Sequence, residues 1–461
     1  MVSKISIGGV QFGQDYGIAN TRGQVPQSEV FAILNYAQSA GIEYLDTAFA
    51  YGESESVIGE YLGEYPNRFK IVSKLPPLEQ YGPGKVEEFF MQSLQRLRIK
   101  QLQGYLLHRF KDILISGDLW NDLICMKKSR RVEKIGFSLY SPDELSFLLD
   151  KKIDFDMVQV PYSVFDRRFE KYFDLLNKKG IEIHARSVFL QGLAFLEADG
   201  LPAPLKMARP QLENLRQIAG DQKISVGALC LNFVLANRHI DKIIIGVDSL
   251  AQLQNNVAGI DSMASVQEVY GQLNSVKIER EEILLPYQWG IVGERIFLRP
   301  LSDERISTDY ISWMQDQDVL QYLTGRQGGY SEGELKEYVI QMNKSPNNHL
   351  FGIFLEKENT HIGNIKIGNI DSLHKFADLG LIIGNKSLWG KGYATEAITL
   401  ATEHAFNELH LNKLTAGMVV DNIGSHRAFI KAGYREVGRL KKHVLFKGRY
   451  TDTILVEKCR G

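Results

Sequence analysis

The sequence predicts an α/β protein in which a closed parallel (β/α)8 TIM barrel is followed by a smaller α+β domain. Three observations predict this. Across the first part of the chain, short apolar runs alternate with amphipathic helical stretches, as in a parallel sheet whose crossovers are helices. Polar residues stand at the ends of several of those runs, where a barrel gathers its working side chains on one rim. The alternation then breaks across residues 286–295, and strands grouped around two or three helices take over. The expected domains are 1–289 and 293–461.

The barrel strands are read in order as ISIGG, IEYLD, KIVSK, QGYLLH, KIGFS, DMVQV, IEIHA and KIIIG, from residue 5 to residue 246. Each is a short apolar run of buried-strand type. Between them, SEVFAILNYAQSAG (28–41), KVEEFFMQSLQRLR (85–98) and SVGALCLNFVLANR (225–238) place apolar residues at helical spacing. The Gly-rich dinucleotide fingerprint of an open sheet is absent, which agrees with a barrel. Beyond residue 295, LFGIFLE, THIGNIKIG and ADLGLIIG read as strands of the second domain, followed by a helix and further short strands.

Four residues in the barrel half carry chemistry: Asp46, Tyr51, Lys74 and His108. Asp46, Lys74 and His108 each close one of the apolar runs, so all three are expected on the carboxyl rim. Tyr51 lies on the loop after Asp46 and can lean over that rim. A lysine beside the phenol stabilises its phenolate, and an aspartate beside the lysine keeps it charged. His108 can then bond a carbonyl oxygen. That is an apparatus for protonating an alkoxide as a hydride arrives.

These segments resemble the aldo-keto reductase family. GIEYLDTAFAYGESE (41–55), VSKLPP (72–77) and YLLHR (105–109) are similar to its aspartate–tyrosine, lysine and histidine segments, and EEILLPYQW (281–289) to its closing tail. The resemblance implies a nicotinamide cofactor, NADP or NAD. It places Ser138 and Gln159 against the nicotinamide carboxamide, and Arg186 where the family usually carries a ring-stacking tyrosine. Leu139 stands where the family often has asparagine. Gly246, Ser249, Gln252 and Asn256, on the last strand, turn and helix, match the region that holds the adenosine half. A helix amino end favours an anion. No Lys or Arg lies in that turn, and Asp248 would repel a 2′-phosphate, so NAD(H) competes with NADP(H).

In the second domain, DLGLIIGNKSLWGKGYATEA (378–397) is a strand, a turn with Gly390 and Gly392, and a helix start. Glycines let backbone amides approach closely, and the helix dipole adds positive potential, so the turn is an anion cradle. This segment and VVDNIGSHRAFIKAGYREVGR (419–439) resemble the GNAT acetyltransferases, especially the branch acting on protein amino ends (the ribosomal-protein type) and amino sugars. The resemblance implies acetyl-CoA, its pyrophosphate on the amides of Gly390, Lys391, Gly392, Tyr393 and Ala394. The pantetheine arm would pair beside Leu381, Ile382 and Ile383 and touch Asn422 and Ser425. Phe429 replaces the tyrosine with which many members protonate the leaving thiolate, which leaves Tyr434, water or an unassisted departure of the thiolate. Asp378 is a candidate base.

Apolar and charged fractions are those of an ordinary soluble chain with ample core. A net charge of -1 gives no electrostatic case for nucleic acid or a membrane surface. Three scattered cysteines suggest neither a disulfide framework nor a metal site. The opening residues, MVSKISIGGVQFG, read as a strand and a glycine turn rather than a signal peptide. The expectation is a cytoplasmic bifunctional enzyme. One domain reduces, or in reverse oxidises, a carbonyl compound, and the other acetylates a primary amine. The fusion suggests one small-molecule pathway, with an amino sugar or its nucleotide as substrate, as in bacterial surface-glycan or nonulosonic acid synthesis. The alternative is a nicotinamide-sensing barrel joined to an acetyltransferase for a protein amino end or an aminoglycoside-like amine.

Overall fold

A computed structural model describes residues 1–66, 68–78, 83–115, 118–201, 203–262, 269–279, 281–284, 291–301, 306–323, 329–345, 347–356 and 360–460. Trp289, where the first domain is expected to end, and Gly461 lie outside them, as does most of the closing tail. Residues 1–201 with 207–286 form one compact unit, and 287–461 belong to the other.

The first unit is a closed barrel of eight parallel strands paired in chain order. They are β1 (Ile5–Gly8), β2 (Tyr44–Asp46), β3 (Lys70–Leu75), β4 (Leu102–Leu107), β5 (Val132–Ser138), β6 (Met157–Pro161), β7 (Glu182–Arg186) and β8 (Lys242–Gly246). The eight apolar runs correspond to these strands with small shifts. Lys74 is one residue short of the end of β3, and His108 stands just past β4. Closure is made by β8 on β1, with Gly246 opposite Gly8. The strands are buried nearly throughout, as expected when helices cover a parallel sheet. Helix Val86–Leu97 shows how: Val86, Phe89, Phe90, Leu94 and Leu97 are buried while Glu87 and Glu88 face water.

The second unit is an eight-stranded sheet. Its strands are β9 (Ile291–Val292), β10 (Ile296–Pro300), β11 (His349–Leu355), β12 (His361–Asp371), β13 (Phe376–Ile383), β14 (Lys413–Val419), β15 (Arg435–Phe446) and β16 (Arg449–Cys459). The order is β15-β16-β14-β13-β12-β11-β10-β9. Only β13 and β14 pair in parallel; the other neighbours are antiparallel. Helix Tyr393–Asn407 contributes Ala397, Ile398, Ala401 and Ala405 to a core shared with Leu298, Ile353, Ile365 and Leu414 of the sheet. Among the described residues no single helix is long and apolar enough to cross a membrane.

One position of this unit titrates in a useful range. His404, on the same helix, packs against Phe351 and His349. Burial, then the neighbouring His349, pushes its imidazole down to about 4 from the ordinary 6.5. The folded value lies below the unfolded one, so this contribution to stability is fully present above pH 6.5 and is lost as pH falls toward 4. Between pH 7 and pH 5 the loss is roughly 2 kcal/mol. A His404→Leu variant should therefore show a correspondingly smaller drop in unfolding free energy over that interval, measured by denaturant titration. An unchanged drop would show that His404 is not held neutral.

Candidate functional site

In the barrel interior Tyr44, Val72, Leu106 and Met157 form a buried apolar cluster. Two residues further along the same four segments stand Asp46, Lys74, His108 and Gln159. Side chains alternate faces along a strand, so each polar residue shares the interior face with the apolar one before it. The polar set forms the next layer toward the carboxyl rim.

Lys74 Nζ donates to Asp46 Oδ1 at 2.6 Å and to the Thr47 carbonyl at 2.9 Å. Gln159 Nε2 donates to Asp46 Oδ2 at 2.6 Å. Lys74 is 0% exposed and Asp46 4%, so the ion pair is dry. Burial lowers the Lys74 ammonium from its ordinary value, and the Asp46 charge opposes that effect. Lys74 Nζ lies 4.9 Å from the centre of the Tyr51 ring, and the His108 ring meets Tyr51 edge-on at 5.5 Å. The quartet is thus one assembly.

Its resting charges are set by desolvation. Burial first, then the Asp46 charge, raises the Tyr51 phenol well above its ordinary value. Tyr51 therefore rests protonated, as a neutral acid would, and not as a phenolate. Burial also drives His108 well below its ordinary value, helped by Lys74, Arg109 and Arg186. His108 is therefore neutral at pH 7, and its buried Nδ1 has no hydrogen-bond partner among the described residues.

A cavity of about 170 Å³ opens above this layer, lined by Tyr51, His108, Ser138, Gln159, Arg186, Gly246 and Gln252 among others. Ser138 ends β5 beside Gln159 in register. Arg186 ends β7, and its guanidinium lies 4.1 Å over the Tyr140 ring. Past β8, the Ser249 hydroxyl accepts from Gln252 N at 3.2 Å and caps helix Leu250–Ala258. Gln252 Oε1 accepts from Asp248 N at 2.9 Å. Asn256 is buried, and its Nδ2 has no hydrogen-bond partner among the described residues.

Three residues that the sequence reading missed join this cavity or its turn. Glu29 Oε1 accepts from Leu250 N at 2.8 Å, so a carboxylate already sits on the helix start. Arg22 Nη1 donates to the Asp248 carbonyl at 3.3 Å. Tyr16 Oη accepts from Gln191 Nε2 at 2.5 Å. All three lie soon after β1, more than 170 positions from the partners they meet. Only the fold could reveal them.

In the second unit β13 and β14 pair over Phe376, Ala377 and Asp378 and then part. Among the described residues, β13 from Leu379 to Ile383 has a strand partner only in β12, which leaves one edge open beside Leu381 and Ile382. The Ile383 carbonyl accepts from Trp389 Nε1 at 2.8 Å, tying the following turn to the strand. In that turn Gly390 and Gly392 have φ of 75° and 88°, a region that glycine enters without strain. Gly392 begins helix Tyr393–Asn407 with no side-chain cap, so the first amides of the helix are left for a ligand. Arg295 reaches this turn with its charge paired to Glu396 at 2.8 Å; it donates to the Lys391 carbonyl at 3.0 Å and covers the Tyr393 ring. The sequence reading missed Arg295 as well.

Asn422 caps helix Ile423–Lys431 by accepting from Ser425 N at 3.1 Å. Tyr434 cannot serve as the thiolate's acid. Its hydroxyl bonds Thr402 in the core at 2.8 Å, its ring packs on buried Phe429, and burial pushes it up to about 12. Asp378 is exposed and accepts from Thr415 Oγ1 at 2.6 Å and Asn369 Nδ2 at 3.0 Å.

A family model described as aldo/keto reductase family matches residues 4–278. The chain belongs to the aldo/keto reductase family. A second model, an acetyltransferase (GNAT) domain, matches residues 295–435. The chain is 31% identical over 167 residues to a probable N-acetyltransferase, YjcK, of Bacillus subtilis (strain 168), covering 35% of this chain and 91% of the relative. It is also 25% identical over 256 residues to an uncharacterized oxidoreductase of Schizosaccharomyces pombe, covering 53% of this chain and 77% of that protein. Among solved structures, a holo-form aldo-keto reductase of Bacillus halodurans is similar at 20% identity and a TM-score of 0.47, covering 58% and 91%. An aldo/keto reductase domain is thus fused to a GNAT acetyltransferase domain. Together they support oxidoreductase and N-acetyltransferase activities.

The cofactors are those of the two families, NAD(P)H and acetyl-CoA, and the residues present fit both. At the reductase cavity and the helix beside it, His108 Nδ1 and Asn256 Nδ2 are buried polar atoms with no hydrogen-bond partner among the described residues. In the acetyltransferase domain the open strand edge and the uncapped helix start offer unpaired backbone groups within one short segment of chain.

The reductase site also depends on a close backbone approach. A Cβ on Gly13 would collide with the Tyr51 carbonyl and with Ser54 N. Gly13→Ala must therefore push the Tyr51 loop away. It should cost about 2 kcal/mol of stability and lower carbonyl reduction by more than about tenfold through misplacement of the phenol. Thermal unfolding together with steady-state turnover checks this, and a variant normal in both would contradict it.

Proposed function

We propose that residues 1–289 reduce a carbonyl compound with NAD(P)H, or run the reverse oxidation, and that residues 293–461 acetylate a primary amine with acetyl-CoA. The observation that carries the reading is the single assembly of Tyr51, neutral His108 and the dry Lys74–Asp46 pair at one cavity. In the mechanism the hydride comes from the nicotinamide cofactor and the acetyl group from acetyl-CoA. Tyr51 gives its proton to the carbonyl oxygen as that oxygen gains charge. Neutral His108 orients the same oxygen. The Lys74 ammonium, fixed by Asp46, lowers the cost of charge on the phenol oxygen left behind. Ser138, Gln159 and Arg186 border the place for the nicotinamide, with Gln159 already anchored to Asp46. Gly246, Ser249, Gln252 and Asn256 border the adenosine half. In the acetyltransferase domain the amides of residues 390–394 would hold the pyrophosphate of acetyl-CoA, and Leu381 to Ile383, Asn422 and Ser425 would line the pantetheine path.

The joint substrate class follows from the fusion. A metabolite with both a carbonyl or hydroxyl group and a primary amine would use both domains, and an amino sugar or its nucleotide meets that description. Both cofactors and the three free cysteines favour the cytoplasm. The test is to assay the full chain with candidate amino-sugar nucleotides, both cofactors and mass-spectrometric detection. Tyr51→Phe should reduce carbonyl turnover by more than about a hundredfold while leaving nicotinamide binding nearly unchanged. Gly392→Asp should abolish acetyl-CoA binding, by charge repulsion at the amides, and spare reduction. Reductase activity surviving in the first variant would defeat the assignment of Tyr51 as the acid.

Cofactor preference is expected to favour NAD(H). Among the described residues, Glu29 and Asp248 put two carboxylates at the adenosine turn, against the cation of Arg22. Each such charge is worth about 1 kcal/mol at close range in water, or roughly fivefold in affinity. Glu29→Gln and Asp248→Asn should each shift the dissociation-constant ratio toward NADP(H), and Arg22→Gln should shift it away. Ratios that do not move in fluorescence titrations would place the 2′-phosphate elsewhere.

A further inference from the structure

The reductase cavity contains a cation with no counter-ion. Lys74 is neutralised by Asp46 at 2.6 Å. His108 is uncharged for the reasons given above. Asp248 lines the same cavity just past β8, before the helix that Ser249 caps, and forms no ion pair with Arg186 among the described residues. That leaves Arg186, which has no carboxylate within ion-pair distance among the described residues. Its contacts with the protein are to neutral groups: Nη2 donates to the Leu139 carbonyl at 2.8 Å, and Nη1 to Ser187 Oγ at 3.1 Å. Tyr140 supports its face at 4.1 Å. A guanidinium carries five N–H donors, so these bonds hold it in place without exhausting it. Nε is buried and has no hydrogen-bond partner among the described residues.

The backbone around this group is strained. Ser187, immediately after Arg186, has φ of 59°, and Leu190 and Gln191 have 45° and 54°. Three non-glycine residues in the left-handed region within one short loop store strain of a kind that clusters at ligand clamps. Two of them have visible consequences. Ser187 delivers its hydroxyl to Arg186, and Gln191 delivers its amide to the Tyr16 hydroxyl, which lines the same cavity. The positive charge also reaches the chemistry. Burial raises the Tyr51 and Tyr16 phenols and lowers the His108 imidazole; the Arg186 charge opposes the first effect and adds to the second.

We infer that Arg186 forms an anion subsite of the reductase domain, and that the carbonyl substrate bears a carboxylate or phosphate that this guanidinium binds. The inference rests on the carbonyl-reductase reading and narrows its substrate class. A pre-positioned, half-buried guanidinium forms charge-assisted hydrogen bonds with either oxyanion, and the ordering of its side chain is already met by the protein. The anion is held and is not itself transformed.

The full chain, with saturating cofactor at pH 7, is tested on two matched pairs: succinic semialdehyde against butanal, and glyceraldehyde 3-phosphate against glyceraldehyde. The charged member of at least one pair should be favoured by roughly tenfold or more in kcat/KM. Arg186→Gln should collapse that ratio, and Arg186→Lys should keep part of it. The ratio is taken within each enzyme, so a general effect on cofactor or folding cancels. The pair that responds tells carboxylate from phosphate. Equal ratios in the parent and Arg186→Gln for both pairs overturn the subsite and leave the reductase reading intact. If no aldehyde is turned over, calorimetry with succinate and with inorganic phosphate decides the subsite. Binding that is lost in Arg186→Gln supports it, and binding that is absent or unchanged overturns it.

Discussion

The buried ion pair between Lys74 and Asp46 is the constraint from which the reductase site is built. An ammonium that is fully out of water needs a partner and acceptors for its protons. Asp46 and the Thr47 carbonyl supply them, and Gln159 takes the remaining carboxylate oxygen. Residues of β2, β3 and β6 are thereby fixed to one another in a single layer. The loop that carries Tyr51 starts from the same place. Thr47 N bonds the Val72 carbonyl, Phe49 N bonds the Lys74 carbonyl, and Tyr51 N bonds the Ala48 carbonyl. The phenol is therefore placed by the backbone around the pair as much as by its own packing. Removing one partner would leave an unpaired buried charge, which costs about 3–5 kcal/mol.

Much of this is legible in the sequence because strand periodicity and strand ends are local signals. The interior polar layer lies two residues beyond an apolar layer, so Asp46, Lys74 and Gln159 fall on the correct face once the apolar runs are found. The glycine turn of the acetyltransferase domain is legible for a similar reason, since strand, turn and helix are contiguous. That Tyr51 rests protonated is not legible, because desolvation depends on what covers a group, and its neighbours along the chain do not record that. Tyr434 reads as an available acid in the sequence, yet it points into the core toward Thr402. Glu29, Arg22 and Arg295 escape notice because each acts on a turn about a hundred residues away or more.

The two domains treat the same physical resource in opposite ways. A helix start presents unpaired amides and positive potential. In the reductase domain, Ser249 caps helix Leu250–Ala258 and Glu29 occupies the Leu250 amide. In the acetyltransferase domain, Gly392 offers no cap, and Arg295, paired with Glu396, bonds the Lys391 carbonyl beside the turn. The second arrangement invites a strongly anionic ligand. In the first, part of the anion affinity is already taken up by a protein carboxylate.

That difference gives the reductase cavity a polarity. The end near the capped helix is acidic, with Glu29 and Asp248 only partly offset by Arg22. Beside Tyr51, Arg186 has no counter-ion among the described residues, while the Lys74 charge is cancelled by Asp46. A field of this sense sorts ligands before any close contact is made. On the proposed reading, an anionic carbonyl compound would be drawn toward Arg186 and away from the acidic turn, whereas a ribose bearing only hydroxyl groups would meet no electrostatic resistance there. A substrate anion at Arg186 would in turn relieve the burial cost of the guanidinium. Substrate selection and cofactor selection at the two ends of one cavity would then follow from a single charge pattern.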